Sequence, residues 1–289
     1  MPRRIPDWFK VRLPSDDGDL KQVAGLLRKH RLATVCTSAR CPNLAECWGS
    51  GTATIMILGR ECTRHCRFCA VATSATPSPP DPDEPEQVAR AVGSLGLKYA
   101  VVTSVTRDDL PDHGAGHYAA VVAAMRTHCP QTRVELLIPD LCGRADLLGI
   151  ILDSRPHVVG HNLETVRRLT PLVRDPRTSY DRSLRLLALV AESGMPARTA
   201  LLLGLGETDL EVRESLREAF DAGVRHVAMG QYLAPSKAHA PVDRYVTPDE
   251  FEALADFARG LGFDSVAAGP KVRSSYRAEE YAGARPPDS

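Results

Sequence analysis

The sequence predicts an α/β fold, a partial and open (β/α)6 barrel of the TIM type with an extension at each end of the chain. From residue 52 to about residue 262, apolar runs alternate with amphipathic helical runs, which is typical of a parallel sheet built from βα units. Six units follow one another, fewer than the eight of a closed barrel. A cysteine-rich loop follows the first apolar run, at the strand end where such barrels carry their chemistry. A doubly wound sheet would show the same alternation and stays open as an alternative.

The candidate strands are six apolar runs, at residues 52–59, 98–105, 133–139, 157–162, 197–204 and 225–231. Amphipathic segments between them predict helices, and a shorter helix is expected at about residues 19–30. The helix before the last strand has Thr208 as its N-cap, an acidic first turn and an end at Gly223, which are typical helix boundaries. The chain therefore divides into an N-terminal extension (1–50), the barrel (51–262) and a C-terminal extension (263–289).

The charge balance argues against one large class of function. The 289 residues include 36 Lys and Arg against 36 Asp and Glu, a formal net charge of zero, which does not suit a protein that binds nucleic acid by neutralising phosphates. No apolar run approaches the roughly 20 residues of a membrane span. The basic N-terminus lacks the apolar region of a secretory signal. We therefore expect a cytoplasmic protein with neither a nucleic-acid nor a membrane partner.

Three cysteines in the loop after the first strand predict an iron–sulfur cluster. Cys62, Cys66 and Cys69 are spaced C-x3-C-x2-C, and a [4Fe–4S] cluster needs four ligands, usually thiolates. Three cysteines would leave one iron open to a small molecule, as a catalytic metal keeps a free position. The alternatives are a zinc site, with His65 as the fourth ligand, and a redox pair.

A second triplet precedes the first. Cys36, Cys41 and Cys47 are spaced C-x4-C-x5-C, and two tandem triplets are hard to explain as buried apolar side chains. We interpret them as ligands of a second cluster. The two other cysteines, Cys129 and Cys142, lie at a helix end and in a loop and are interpreted as structural or incidental.

The first triplet, with an aromatic Phe68 before its last cysteine, resembles that of the radical S-adenosylmethionine (SAM) enzymes, whose open iron chelates the amino and carboxylate groups of SAM. Together with the upstream C-x4-C-x5-C, it resembles the lipoyl synthases. The matching segments span Trp8 to Tyr276; they are TVCTSARCPNLAECWGSGTATIMILGRECTRHCRFC, VTSVTRDDLPD, HNLETV, LLLGLGET, QYLAPSKAHAPVDRYVTPDEF and RSSY.

This resemblance implies an enzyme that inserts two sulfur atoms at C6 and C8 of a protein-bound octanoyl-lysine group. One [4Fe–4S] cluster would bind SAM and cleave it to a 5′-deoxyadenosyl radical, and an auxiliary [4Fe–4S] cluster, held by the two extensions, would be consumed as the sulfur donor. In the family a serine of the RSSY segment closes the auxiliary cluster. Ser275 is the favoured ligand here, with Ser274 as the alternative. An oxygen ligand on iron is weaker than a thiolate, as a sacrificial cluster requires.

The resemblance also implies contacts to SAM from the strand ends. Polar residues there are expected to face the site, and those that match are Thr103, Ser104, Asn162 and Glu164, with Phe68 in the cysteine loop. The GLGET segment would pass the adenine; its candidate residues are Gly204, Gly206 and Glu207. Alternatively, Asn162 caps a helix and GLGET is a turn.

The implied partners are an octanoylated lipoyl carrier domain or glycine-cleavage H protein, and a ferredoxin or flavodoxin as electron donor; the chain itself is expected to be a monomer. Two departures from the family concern the loops. His113 stands where a glycine is usual, and SKAHAP replaces a more basic, His-rich run. The alternatives are a radical SAM enzyme of the biotin synthase type, which does not account for the upstream triplet, and a non-catalytic iron–sulfur or zinc protein.

Overall fold

A computed structural model of the chain describes residues 6–9, 25, 33–34, 43 and 53–275. The predicted auxiliary-cluster ligands Cys36, Cys41 and Cys47 lie outside the described residues, whereas Ser275 lies inside them. Within these ranges, no helix is long and apolar enough to cross a membrane.

The described strands are β1 (Ala33–Thr34), β2 (Ala53–Ile57), β3 (Glu61–Cys62), β4 (Ala72–Thr73), β5 (Tyr99–Ser104), β6 (Arg133–Leu137), β7 (Val158–Gly160), β8 (Ala197–Leu203), β9 (His226–Gln231) and β10 (Ser265–Gly269). The described helices are α1 (Glu84–Leu95), α2 (Ala115–His128), α3 (Ala145–Asp153), α4 (Thr170–Val173), α5 (Tyr180–Glu192), α6 (Asp209–Asp221) and α7 (Pro248–Leu261), with short 3-10 turns at Asp7–Phe9 and Leu141–Gly143.

One eight-stranded sheet organises the molecule. Its order is β1-β2-β5-β6-β7-β8-β9-β10, and every neighbouring pair from β2 to β10 is parallel, while β1 runs antiparallel to β2. In the part of the chain that is described, the edge strands β1 and β10 do not pair with each other, so the sheet is open. The predicted open α/β barrel is confirmed, and all six predicted strands form.

The sheet contains one parallel strand that the sequence analysis did not assign. β10 pairs with β9 in the register Val266↔Val227, although residues 263–289 were expected to form only an extension. This strand, SVAAG, is short and its side chains are small, and only its central alanine is buried. It therefore lacks the long apolar run by which the other strands could be recognised.

The helix boundaries follow from capping. Thr208 and Thr247 each accept a hydrogen bond from the backbone three residues on, and Glu211 and Glu250 complete capping boxes at the starts of α6 and α7. The predicted N-cap Thr208 is confirmed. The helices pack one apolar face against the sheet, and this packing forms the continuous core.

At the amino ends of the strands, a buried polar network closes the barrel interior. Arg198 Nη1 lies 3.0 Å from Glu135 Oε2, and the Tyr99 hydroxyl donates to the same oxygen at 2.6 Å. A buried ion pair needs such additional hydrogen bonds to offset the cost of its desolvation. This end is therefore filled, and the open end of the barrel is the carboxyl end of the strands.

Candidate active site

The cysteine loop leaves the sheet at the carboxyl end of β2. Leu58 and Gly59 have positive φ values, 66° and 98°, and this turn directs the chain across the barrel mouth into β3, which carries Cys62. Cys66 and Cys69 follow, and the Cys69 amide donates to the Cys66 carbonyl at 3.1 Å. All three cysteines have free thiols.

The three thiols line one cavity of about 190 Å³. The same cavity is lined by five residues that the sequence analysis assigned to SAM, namely Phe68, Thr103, Ser104, Asn162 and Glu164. They come from the cysteine loop and from the ends of β5 and β7. The structure thus brings together the first cysteine triplet and the strand-end residues.

The spacing of the sulfur atoms bears on the zinc alternative. Ligand sulfurs of one zinc ion lie at most about 4.6 Å apart, twice the Zn–S bond length. Cys62, Cys66 and Cys69 do not form a set of ligand atoms within 4.8 Å of one another, with or without His65. Each cysteine of a [4Fe–4S] cluster binds a different iron, so wider spacing suits a cluster. The arrangement of the thiols therefore does not favour a single zinc ion.

Three carboxylates fix the cysteine loop from outside the cavity. The Arg64 guanidinium is buried between Asp108 and Asp140, with contacts of 2.8 and 2.7 Å. Asp175 Oδ2 accepts from the His65 amide at 2.8 Å, and the Asp175 amide points at Cys66 Sγ, 3.4 Å away. Burial opposes ionisation of Asp108, but the hydrogen bonds and charge of Arg64 hold its pKa below the usual range.

The polar residues at the end of β7 form a strained turn. Glu164 has a positive φ of 66°, and its carboxylate accepts from Asn162 Nδ2 at 3.1 Å. Burial raises the pKa of Glu164. No described helix begins at Asn162, so the alternative that Asn162 is a helix cap is wrong. A non-glycine residue in this conformation is uncommon and is often found at functional sites.

The end of β5 contributes two hydroxyls. Thr103 Oγ1 donates to the Leu137 carbonyl at 2.9 Å, so its proton is already engaged. The Ser104 hydroxyl is buried in the cavity wall. Thr103 can therefore offer only its lone pairs to a bound molecule.

The GLGET segment forms a turn at the end of β8. Gly204 and Gly206 have φ values of 97° and 109°, and the Glu207 carboxylate accepts from the amides of Gly204 and Leu205, at 2.5 and 2.9 Å. A side chain at Gly204 would meet the Arg244 carbonyl at 2.5 Å. These residues do not line the cavity of the cysteines. The hydrogen bonds of the Glu207 carboxylate are explained by this turn. A contact between the GLGET segment and adenine stays a prediction.

This cavity also contains a buried arginine that the sequence pattern does not predict. Arg174 lines the wall, and its Nη1 donates to the Leu163 carbonyl and to Ser183 Oγ, at 3.3 and 3.1 Å. Its buried Nε has no hydrogen-bond partner among the described residues. A buried donor of this kind is costly unless a ligand satisfies it. Arg174 thus adds a positive charge to the cavity wall, which suits an anionic ligand.

Ser274 and Ser275 of the RSSY segment lie beside strands of the barrel. Thr54 Oγ1 donates to Ser275 Oγ at 2.7 Å, and Ser274 lines a smaller cavity that also touches Asn162 and Glu164. Asn43, which lies between Cys41 and Cys47 in the sequence, donates to the Lys271 carbonyl at 2.5 Å. One residue of the upstream triplet segment thus contacts the chain four residues before Ser275.

Comparisons with known proteins agree with this geometry. The model of the radical SAM superfamily matches residues 56–219. The chain is 52% identical to a lipoyl synthase of Methanocella arvoryzae, across 95% of this chain and 93% of that protein. It is 50% identical to a lipoyl synthase of Myxococcus xanthus, across 96% of this chain and 93% of that protein.

Solved structures are similar in fold. The Streptococcus suis protein SuiB bound to S-adenosylmethionine has a TM-score of 0.61 at 13% identity; the match covers 89% of this chain but spans only 57% of SuiB. A methylornithine synthase has a TM-score of 0.55 at 12% identity, with 88% of this chain and 79% of that chain covered.

Proposed function

The chain belongs to the lipoyl synthases of the radical SAM superfamily, and on that premise we propose which of its residues carry each part of the reaction. The enzyme is a sulfurtransferase that uses SAM and [4Fe–4S] clusters to insert two sulfur atoms, at C6 and C8, into a protein-bound octanoyl-lysine group. The observation that carries the assignment is the shared cavity of the three thiols and the strand-end polar residues.

Cys62, Cys66 and Cys69 would hold the cluster that leaves one iron for SAM. When bound, this cofactor supplies the reductive cleavage of SAM to methionine and a 5′-deoxyadenosyl radical, and the radical takes hydrogen from the octanoyl chain. The protein supplies position. The residues that would orient SAM are Phe68, Thr103, Ser104, Asn162 and Glu164. Glu207 would stabilise the GLGET turn, which contains Gly204 and Gly206 and which the adenine of SAM would pass.

Arg174 would bind the carboxylate of SAM. We expect Arg174→Gln to raise the KM for SAM by about 10- to 100-fold, because a charged hydrogen bond in a buried site contributes about 1.5–3 kcal/mol. The measurement is the rate of 5′-deoxyadenosine formation against SAM concentration, with cluster content verified. Arg185→Gln is the matched control, since Arg185 is exposed and paired with Glu192. An unchanged KM in Arg174→Gln would refute this role.

Cys36, Cys41, Cys47 and Ser275 would hold the auxiliary cluster. The Asn43 contact with Lys271 supports the proximity of the upstream triplet to the RSSY segment. The hydroxyl of Ser275, rather than that of Ser274, accepts from Thr54 on β2. This placement favours Ser275 as the ligand.

We expect Ser275→Ala to keep SAM cleavage but to lose the auxiliary cluster more than about tenfold faster than the wild type does. Even residues that only orient a metal ligand contribute about tenfold to metal affinity. Iron release to a chelator measures this loss. Ser275→Cys would retain the iron because thiolate binds iron better than an oxygen ligand does. If Ser274→Ala releases iron and Ser275→Ala does not, the ligand is Ser274.

The substrate we propose is an octanoylated lipoyl domain or glycine-cleavage H protein, with electrons from a ferredoxin or flavodoxin. We further propose that the enzyme acts in the cytoplasm as a monomer, without a nucleic-acid or membrane partner. The net charge of zero supports the absence of a nucleic-acid partner.

The direct test is anaerobic incubation of the reconstituted enzyme with SAM, a strong reductant and an octanoylated carrier domain. Mass spectrometry of the carrier should show a gain of two sulfur atoms with a loss of two hydrogens. Formation of 5′-deoxyadenosine with an unchanged octanoyl chain would refute the substrate. Failure of both, with the clusters intact, would refute the catalytic assignment.

A further inference from the structure

A second group of metal-ligating side chains lies behind the cysteine loop, outside its cavity. Asp108 and His113 lie on the loop after β5, and Cys142 lies on the loop after β6. One ligand atom from each lies within 4.8 Å of the other two. We propose that these three residues form a binding site for a zinc ion, separate from both iron–sulfur clusters.

The distances suit one tetrahedral ion. Bonds of 2.0–2.3 Å from zinc to oxygen, nitrogen and sulfur place neighbouring ligand atoms about 3.3–3.8 Å apart. Asp108 Oδ1 lies 3.5 Å from Cys142 Sγ and 3.8 Å from His113 Nδ1. All three ligand atoms lie within 4.8 Å of one another, so a shift of about 1 Å closes the set. Three protein ligands leave a fourth position for water.

His113 has an unpaired ligand atom, and Cys142 is open to solvent. His113 Nδ1 is buried and has no hydrogen-bond partner within the described chain, so a bond to a metal would satisfy an otherwise costly buried atom. Cys142 is a free and exposed thiol, which gives an ion a path from solvent. On binding, the thiol releases its proton to solvent and becomes a thiolate.

The carboxylate is held in place by residues behind it. Arg64 Nε donates to Asp108 Oδ2 at 2.8 Å, and Arg177 Nη1 lies 3.3 Å from the same oxygen. Such partners fix the orientation of a metal ligand. Arg64 Nη2 contacts Asp108 Oδ1 at 2.8 Å and donates to Cys142 Sγ at 3.4 Å, but it also lies 2.7 Å from Asp140 Oδ1. If zinc takes Asp108 Oδ1, this guanidinium group therefore keeps a carboxylate partner.

Two substitutions remove ligands without burying a new charge. His113 has a positive φ of 50°, a conformation that glycine adopts readily, so His113→Gly removes the imidazole and relaxes the backbone. Cys142→Ser keeps the size of the side chain but replaces the sulfur. Cys129→Ala is the matched control, because Cys129 is a buried free cysteine at the end of α2.

The experiment uses the holoenzyme with both clusters loaded and its iron and sulfide quantified. Each protein is dialysed against buffered Zn²⁺, bound zinc is measured by mass spectrometry, and X-ray absorption at the zinc edge reports the Zn–S bonds. Wild type and Cys129→Ala should bind about one zinc per chain, with a single sulfur ligand. His113→Gly and Cys142→Ser should bind at least about tenfold more weakly, with iron unchanged.

Three results would overturn the proposal. One is the absence of zinc from the wild-type holoenzyme. Another is equal zinc in all four proteins, which would place the ion elsewhere. The third is zinc uptake matched by loss of iron, which would mean that zinc had entered a cluster site. None of these depends on sulfur insertion, so they leave the enzymatic assignment separately testable.

Discussion

Cys66→Ala should abolish 5′-deoxyadenosine formation and sulfur insertion together. The thiol lies in the cavity that the strand-end polar residues also line, and the Asp175 amide points at its sulfur. Two cysteines cannot hold a cluster that needs at least three protein ligands, so about half of the iron should be lost. Iron analysis, electron paramagnetic resonance and 5′-deoxyadenosine quantification measure the three effects.

Cys129→Ala separates this effect from the general loss of a cysteine. Cys129 is 9% exposed and packs in the core away from the cavity. Its truncation removes only one buried sulfur, so we expect a stability loss of about 1 kcal/mol with normal iron content and activity. Near-normal 5′-deoxyadenosine formation by Cys66→Ala would contradict the assignment of the first triplet.

The parts of the site that lie close together in the sequence could be predicted. Cys62, Cys66 and Cys69 occupy one loop, and their spacing predicts a metal or redox site, with an iron–sulfur cluster favoured. Thr103 and Asn162 could be placed because the carboxyl ends of parallel strands meet at one edge of the sheet. Both residues line the cavity of the cysteines.

The supporting residues could not be predicted in the same way. In the sequence, Arg64 is recognisable only as an arginine inside the cysteine loop. Its partners Asp108 and Asp140 are 44 and 76 positions away, and only folding brings them into contact with Arg64. Arg174 follows the short helix α4, where no local pattern distinguishes a buried arginine from an exposed one. Tertiary contacts decide these roles.

The same limit applies to the C-terminal segment. The apolar pattern does not identify β10, and it does not show that the chain returns across β9 after it. The position of Gly230 explains how this return is possible. A Cβ atom at Gly230 would lie 1.9 Å from the Val272 carbonyl oxygen and 2.8 Å from its carbon. Only glycine allows the segment that leads to Ser275 to pass so close.

Gly230→Ala should therefore displace this segment and impair sulfur insertion more than SAM cleavage. The Val272 backbone must move by roughly 1 Å or more to remove the overlap, and such overpacking costs about 1–3 kcal/mol. Ser275 lies three residues further on and is bonded to Thr54. Because a shift of about 1 Å in a positioned group can cost about 100-fold, we expect sulfur insertion to fall by about that factor.

The measurement compares 5′-deoxyadenosine and lipoyl product in the same reaction, together with iron retention. Gly149→Ala is the matched control, since Gly149 lies within α3 and a Cβ there meets nothing within 4 Å; alanine should stabilise that helix by up to about 1 kcal/mol. If Gly230→Ala lowers both products equally, the substitution has damaged the barrel. If it lowers neither, the close passage of Val272 does not position Ser275, and the auxiliary cluster does not lie at this edge of the barrel.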